Sequence, residues 1–309
     1  RLIAYAFKVR IIMVKFTVST DSTCDLYRQY VDENDVKFVS LTFTVEEKGT
    51  LTDGLDAFTS YQQYVDFYAK LRAGGFSKTS MLNLESHYEH FLKLAKEGCR
   101  DVLHFTISSG LATTYTVAEK AFQMVKKDYP ELNITVIDPL TATIGQGELV
   151  KAAVRLRDEG KSAKEAADYV NEMKHHIQHV IIANDLYYLK RGGRVSAAAA
   201  VAGTLLKVKP VLTFDREGKL SVVEKCKGMK KAFAYALDKM SAMPPVERDR
   251  MISIVHTDAE QDAEELKKMV EERYGYTPPV TIMGPVIGSH VGPGSVSVIW
   301  TSKELRNEK

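Results

Sequence analysis

The 309-residue chain has little cysteine, little tryptophan and no surplus of charge. Cys24, Cys99 and Cys226 are odd in number, far apart and without CxxC spacing, which excludes a disulfide framework and a zinc ribbon and fits reduced thiols in a cytosolic protein. Forty-two basic against 40 acidic side chains leave a formal charge of +2, with both signs interspersed. The basic stripe of a nucleic-acid binder is therefore missing, and DNA or RNA is not expected as a partner. No apolar run reaches the roughly 20 residues of a membrane span: VSAAAAVAGTLL at 195–206 is too short, and the uncharged stretch 274–302 is broken by Gly and Pro. Neither GxSxG nor a GxGxxG after a strand occurs, and EGKSA at 159–163 lacks the first glycine of a P-loop, Arg155 standing in its place.

What is present is a chain that is 45% hydrophobic and 27% charged, enough to bury a large core in about two domains. Residues 1–12, RLIAYAFKVRII, precede Met13 and lack a small-residue cleavage site; they read as an extension outside the fold. From Lys15 onward short β-branched runs alternate with helical periodicities. KFTVS and the strand at 102–107 are followed by ITVI at 134–137; between and after them lie helices through Tyr61–Leu71, Tyr88–Ala95, Tyr115–Val125, 146–158 and 162–175. Such alternation predicts an α/β domain with a largely parallel sheet over 13–175. After the polar run NEMKHHIQH a second α/β or α+β domain is expected over 176–309. Ligands of parallel sheets sit beyond the carboxyl ends of the strands, where this chain places the polar loops STDST, SSGLATT and DPLTAT.

Several segments carry candidate chemistry. In HFTISSGLATTYTVAEKAF (104–122) hydroxyls gather where a strand gives way to a helix; they are either ordinary N-caps or a cradle for phosphate or carboxylate. KTSMLN at 78–83 is expected as a loop presenting Thr79 and Ser80. RGGRV at 191–195 joins permissive glycines to anion-binding arginines, or is a plain turn. GSHVGPG at 288–294 is too rich in Gly and Pro for strand or helix, and its His290 is either structural or functional. His175 and His179 stand four apart as weak metal candidates or as a solvated helix end. Asp21, His290 and Ser108 or Ser109 compose a conceivable triad, the basis of a rival reading as a stand-alone hydrolase or phosphotransferase.

Taken in order, STDSTCDL (19–26), LTDG (51–54), KTS (78–80), ISSGLATTY (107–115), GQGELV (145–150), DLYYLKRGGRVS (185–196), LLKVKPVL (205–212) and GSHVGPG (288–294) resemble the DegV family over nearly the whole chain from Met13. The resemblance implies a two-domain α/β fold with a long-chain fatty acid such as palmitate, stearate or oleate between the domains. It also implies a carrier without catalysis of its own, cytoplasmic, needing no cofactor or metal, and serving a separate fatty-acid kinase. The family's head-group residues map onto Thr79 and Ser80, the loop from Ser108 through Thr114 with Ser109, Ala112 and Thr113 in it, Arg194 and His290. Where the family reads Leu-Ser-Gly-Thr-Tyr this chain has LATTY, so Ala112 replaces a hydroxyl and Thr113 a glycine. The small-residue run at 196–203 is a candidate for the tunnel wall or for close helix packing.

Overall fold

The computed structural model describes residues 15–184, 186–195, 208–246 and 251–306. The expected N-terminal extension, the small-residue run at 196–203, Asp185 and the start of LLKVKPVL lie outside the described residues. Strands β1 (Thr17–Asp21), β2 (Val36–Val39), β6 (Asp101–Phe105) and β7 (Asn133–Ile137) form a four-stranded parallel sheet in the order β2-β1-β6-β7. The helices Leu84–Lys96 and Thr114–Asp128 flank β6 in sequence and pack together over this sheet, burying Phe91, Leu94, Ala118, Ala121 and Val125 against Val102 and Ile134. Asn83 caps the first of these through its side chain, accepting from the Ser86 N–H.

A second, antiparallel sheet follows the order β4-β3-β5, with β3 at Thr42–Glu47, β4 at Thr50–Leu55 and β5 at Phe76–Ser80. The β3–β4 hairpin turns on Lys48 and Gly49, both at positive φ, as a two-residue type I′ turn requires. Strand β5 corrects the loop expected for Thr79 and Ser80: Thr79 pairs with Phe43 and Ser80 with Thr42. FSKTS has one strongly apolar residue and so carries no clear strand pattern, but the ladder offered by β3 satisfies its backbone. Helix Tyr61–Arg72 covers this sheet, with Tyr64, Phe67, Tyr68 and Leu71 at the i, i+3, i+4 and i+7 positions of a buried stripe.

The third sheet has six strands in the order β10-β9-β8-β13-β11-β12, namely β8 (Ile177–Ile182), β9 (Val208–Phe214), β10 (Leu220–Lys227), β11 (Ile252–Thr257), β12 (Val280–Ile282) and β13 (Ser295–Thr301). Its pairings are antiparallel except β11 with β12. One face, through Val180, Ile182, Ile254 and Val298, packs on helices Met229–Ala242 and Glu260–Tyr274. The other, through Ile181, Leu212, Phe214 and Ile299, shares a core with Ile107, Ala142 and Ile144 of the first half. The fold is thus α/β throughout, a parallel-sheet half followed by a mixed-sheet half. His175 and His179 do not share a helix: helix Ala163–Met173 has ended, and His179 is buried within β8.

Candidate functional site

A cavity of about 580 Å³ lies where the mixed sheet faces the first half. Its apolar wall comes from both sides, Leu41, Ile107 and Leu111 from one and Ile181, Leu212 and Ile299 from the other. This volume is within the range of roughly 300–1,000 Å³ that ligand pockets occupy.

Polar groups collect along one part of the lining, where Thr79 Oγ1 and His290 Nε2 are 2.9 Å apart. His290 lies on a short helix, Pro285–Val291, which corrects the irregular loop expected for GSHVGPG. Pro285 at the first helical position has its φ already set, and the Gly284 N–H donates to Asp25 Oδ1 at 2.9 Å. The glycines serve packing: a Cβ on Gly288 would meet the Tyr68 hydroxyl at 2.4 Å.

The RGGR turn closes over this helix. Gly193 takes φ +73, and a Cβ on Gly192 would lie 2.3 Å from His290 Nδ1, so both positions need glycine. Arg191 stacks on Phe76 with its Cζ 3.7 Å from the ring centroid and lies 4.9 Å from that of Tyr188. Arg194 is partly buried and donates from Nη1 to the Gly192 carbonyl. Burial, with Arg194 and Arg191 nearby, pushes the His290 pKa down to about 4, so the ring is neutral at pH 7 and two guanidinium groups supply the positive charge.

The remaining expected residues are distributed as follows. Ala112 and Thr113 line the cavity, and Thr113 Oγ1 donates to Met81 Sδ at 3.5 Å. Thr113 precedes helix Thr114–Asp128 without a side-chain capping bond, so the hydroxyl cluster is not acting as an N-cap there. Ser80 is exposed and outside the lining. Ser108 is fully buried, donates to the Gly218 carbonyl at 2.8 Å and accepts from the Gly110 N–H, fastening the β9–β10 turn to the first half. Ser109 is exposed, with its backbone N–H on Asp138. Asp21 is buried and accepts from Thr23, Gln146 and the Ile107 N–H. The members of the conceivable triad are therefore engaged with separate partners.

Other lining groups were not anticipated: Ser77, Thr143, Ser289 and Ser297, together with His179 in a non-metal setting. Ser77 and Ser289 hydroxyls meet at 2.6 Å, and Thr143 Oγ1 donates to Asp25 Oδ2 at 2.5 Å. The one signal for such residues is a serine at an inward position of an otherwise β-branched strand, as in SVSVIWT. Behind Thr143, Asp25 and Asp56 are buried close to Gly284. Burial raises the Asp25 pKa to about 7 against the pull of its bonds from Thr143 and Gly284, and burial together with the Asp25 charge raises that of Asp56 well above the ordinary carboxylate value. Among the described residues no group of three or more His, Cys, Asp or Glu side chains is arranged to hold a metal, and no helix is long and apolar enough to cross a membrane.

Comparison with known proteins agrees with the geometry. The model of the family described as "Uncharacterised protein, DegV family COG1307" matches residues 15–303. A DegV domain-containing protein of Clostridium perfringens is 33% identical over 289 residues, covering 93% of this chain and 98% of that protein. Among solved structures, a lipid-binding DegV protein of Thermotoga maritima superposes with a TM-score of 0.80 at 26% identity, covering 95% of this chain and 100% of that one. A DegV family protein of Thermus thermophilus whose structure is described as showing fatty-acid binding superposes with a TM-score of 0.78 at 28% identity, covering 94% and 100% of the two chains. A cavity between two α/β halves, the ordered motifs and full-length similarity to these proteins together make this chain a member of the DegV family.

Proposed function

We propose that this protein binds a long-chain fatty acid and, as a cytoplasmic carrier with no catalysis of its own, presents the carboxylate to a separate fatty-acid kinase. The observation that carries the reading is the cavity of about 580 Å³, apolar over most of its wall and polar where Thr79, Arg194 and His290 converge. Relatives of the same fold described as binding fatty acids or lipid support it. Each buried methylene contributes about 0.8 kcal/mol, so a palmitate, stearate or oleate tail would gain on the order of 10 kcal/mol gross. The hydrogen bonds at the head contribute less and fix orientation.

In this reading the carboxylate takes the place beside Thr79 and His290, where one proton of the pair, the Thr79 O–H or the imidazole N–H, is left over from their mutual bond and can be donated to it while Arg194 balances its charge. Thr113 and the backbone beside Ala112 border the same region. Ser108, committed to Gly218, and the exposed Ser80 and Ser109 support the frame around the head group without a direct bond to it. Protein purified from a bacterial host, denatured and extracted, is expected to release acyl chains detectable by mass spectrometry. Protein that yields none, and that binds neither palmitate nor oleate in a titration, would overturn the proposal. Transfer of phosphate from ATP to the bound acid only when a fatty-acid kinase is added tests the carrier role separately.

A further inference from the structure

Two methionines line the cavity, and they differ in what can reach them. Met283 is buried, with a relative exposure of 2%, whereas Met81 is 40% exposed. Met81 follows directly on β5, two positions after Thr79, and Ser80 between them is outside the lining. The next residue, Leu82, is buried with Leu41 and Val286. The backbone is therefore held on one side of Met81 by the β5 ladder and on the other by this apolar contact, which leaves the thioether at the rim with solvent on one flank and the cavity on the other. Across that rim Met81 Sδ accepts from Thr113 Oγ1 at 3.5 Å, and Thr113 is itself exposed and part of the lining.

A thioether is an apolar, flexible group and only a weak hydrogen-bond acceptor. Two-electron oxidation by a peroxide changes both properties. The sulfur lone pair attacks one peroxide oxygen, the O–O bond breaks, an S–O bond forms, and the second oxygen leaves as water from hydrogen peroxide or as an alcohol from an organic hydroperoxide. The sulfoxide oxygen is a stronger acceptor than the sulfur that carries it, and it extends further from the side chain. At the Met81 position it takes the Thr113 hydroxyl in a full hydrogen bond and brings partial negative charge to the part of the lining that Thr79 and His290 share. An apolar piece of the rim becomes polar, and an anionic head group there meets an oxygen in place of a thioether.

We propose that Met81 is a site of reversible oxidation by peroxides, and that its sulfoxide weakens fatty-acid binding. The first part stands on the exposure and position of Met81 alone; the second rests on the fatty-acid reading above. Occupancy acts in return on the modification, because an acid seated beside Thr79 covers the cavity flank of Met81. Met124 supplies the comparison within the same molecule: it is 42% exposed, on the outer face of helix Thr114–Asp128, and does not line the cavity. A peroxide in solution meets the two side chains on nearly equal terms, so any difference between them that depends on ligand comes from the site.

The delipidated full chain is treated with hydrogen peroxide, with and without palmitate, and mapped by peptide mass spectrometry. Met81 and Met124 are each expected to gain one oxygen atom at similar rates in the empty protein, and palmitate is expected to slow the gain at Met81 alone. Palmitate affinity of the oxidised protein should fall about tenfold, the scale of one lost hydrogen bond to a charged group, and methionine sulfoxide reductase should restore it. Met81→Leu, close in volume and without a sulfur to oxidise, keeps its affinity through the same treatment, whereas Met124→Leu loses affinity as the parent does. Oxidation of Met124 with Met81 left intact overturns the site. Oxidised Met81 with unchanged palmitate affinity overturns the effect on binding, as does a loss that persists in Met81→Leu. Protein that binds no palmitate before oxidation overturns the fatty-acid reading, while the peptide map still decides whether Met81 is the oxidation site.

Discussion

Gly192 lies so close beneath the His290 imidazole that a Cβ there would stand 2.3 Å from Nδ1. Its backbone is in the ordinary right-handed region, so the substitution Gly192→Ala acts through this contact and not through backbone strain. The added methyl displaces His290 from Thr79. Fatty-acid affinity is expected to fall about tenfold or more, the scale of one lost charge-assisted hydrogen bond, with little change in the circular dichroism spectrum. Unchanged affinity in a fluorescent fatty-acid displacement assay would separate His290 from the head group.

Thr79→Val keeps nearly the same shape and removes the hydroxyl that meets His290 Nε2 at 2.9 Å. Thr79 is only partly buried and β5 favours a β-branched residue, so the fold is expected to survive. Ligand retention through delipidation and the rate of acyl phosphorylation by a partner kinase should both drop. Equal values for variant and parent in both measurements would remove Thr79 from the site.

Ser108→Ala gives the opposite pattern. Ser108 is fully buried and its hydroxyl donates to Gly218 at 2.8 Å, joining the two halves at the β9–β10 turn. The loss leaves a buried carbonyl short of a donor and is expected to cost about 1–3 kcal/mol in urea unfolding. Head-group affinity should change far less than in Thr79→Val. A large affinity loss with no stability loss would instead place Ser108 at the carboxylate.

Asp25 gives the stability a pH dependence of definite sign. Its folded pKa, about 7, is above the ordinary 3.8, so between these values the folded state holds a proton that the unfolded chain has lost. Stability from this group is present below about pH 4, falls as pH rises and is fully lost above about 7. The buried Asp21 and Asp56, also raised, act in the same direction. Asp25→Asn keeps an acceptor for Gly284 and can donate to Thr143. Relative to the parent it should gain on the order of a few kcal/mol between pH 4 and pH 8, followed by thermal melts across that range. A constant difference at all pH values would contradict the assignment.

The parallel-sheet half was legible because β-branched and apolar residues recur in KFTVS, which leads into β1, and in β6 and β7, and the helices between repeat their apolar residues every three or four positions. Other elements depend on partners distant in sequence. Strand β5 is polar and exists because β3 offers it a ladder, and the β3–β4 hairpin turns on Lys-Gly, which lacks the Asn-Gly or Asp-Gly signature. Helix Pro285–Val291 contains a glycine and ends in another, and Asp25 anchors its first turn from 259 positions away. The site shows the same division. Thr79 and His290 were named from their motifs, but their meeting across 211 positions is a product of the fold. Ile181, which faces the cavity, and Ile182, which faces the helices behind the sheet, have the same side chain and cannot be told apart by composition or period.

The hollow beside β8, β9 and β13 is walled by Ile181, Leu212 and Ile299, side chains that in a solid protein would close on one another. On the fatty-acid reading proposed above, the polypeptide would be folded around a part it does not encode, and an acyl tail seated there would serve as a removable piece of its interior. Any guest that binds only the native form strengthens that form in proportion to its free concentration. On that reading an empty molecule would open more often and meet proteases sooner than an occupied one, so the lifetime of the protein would follow the supply of its ligand.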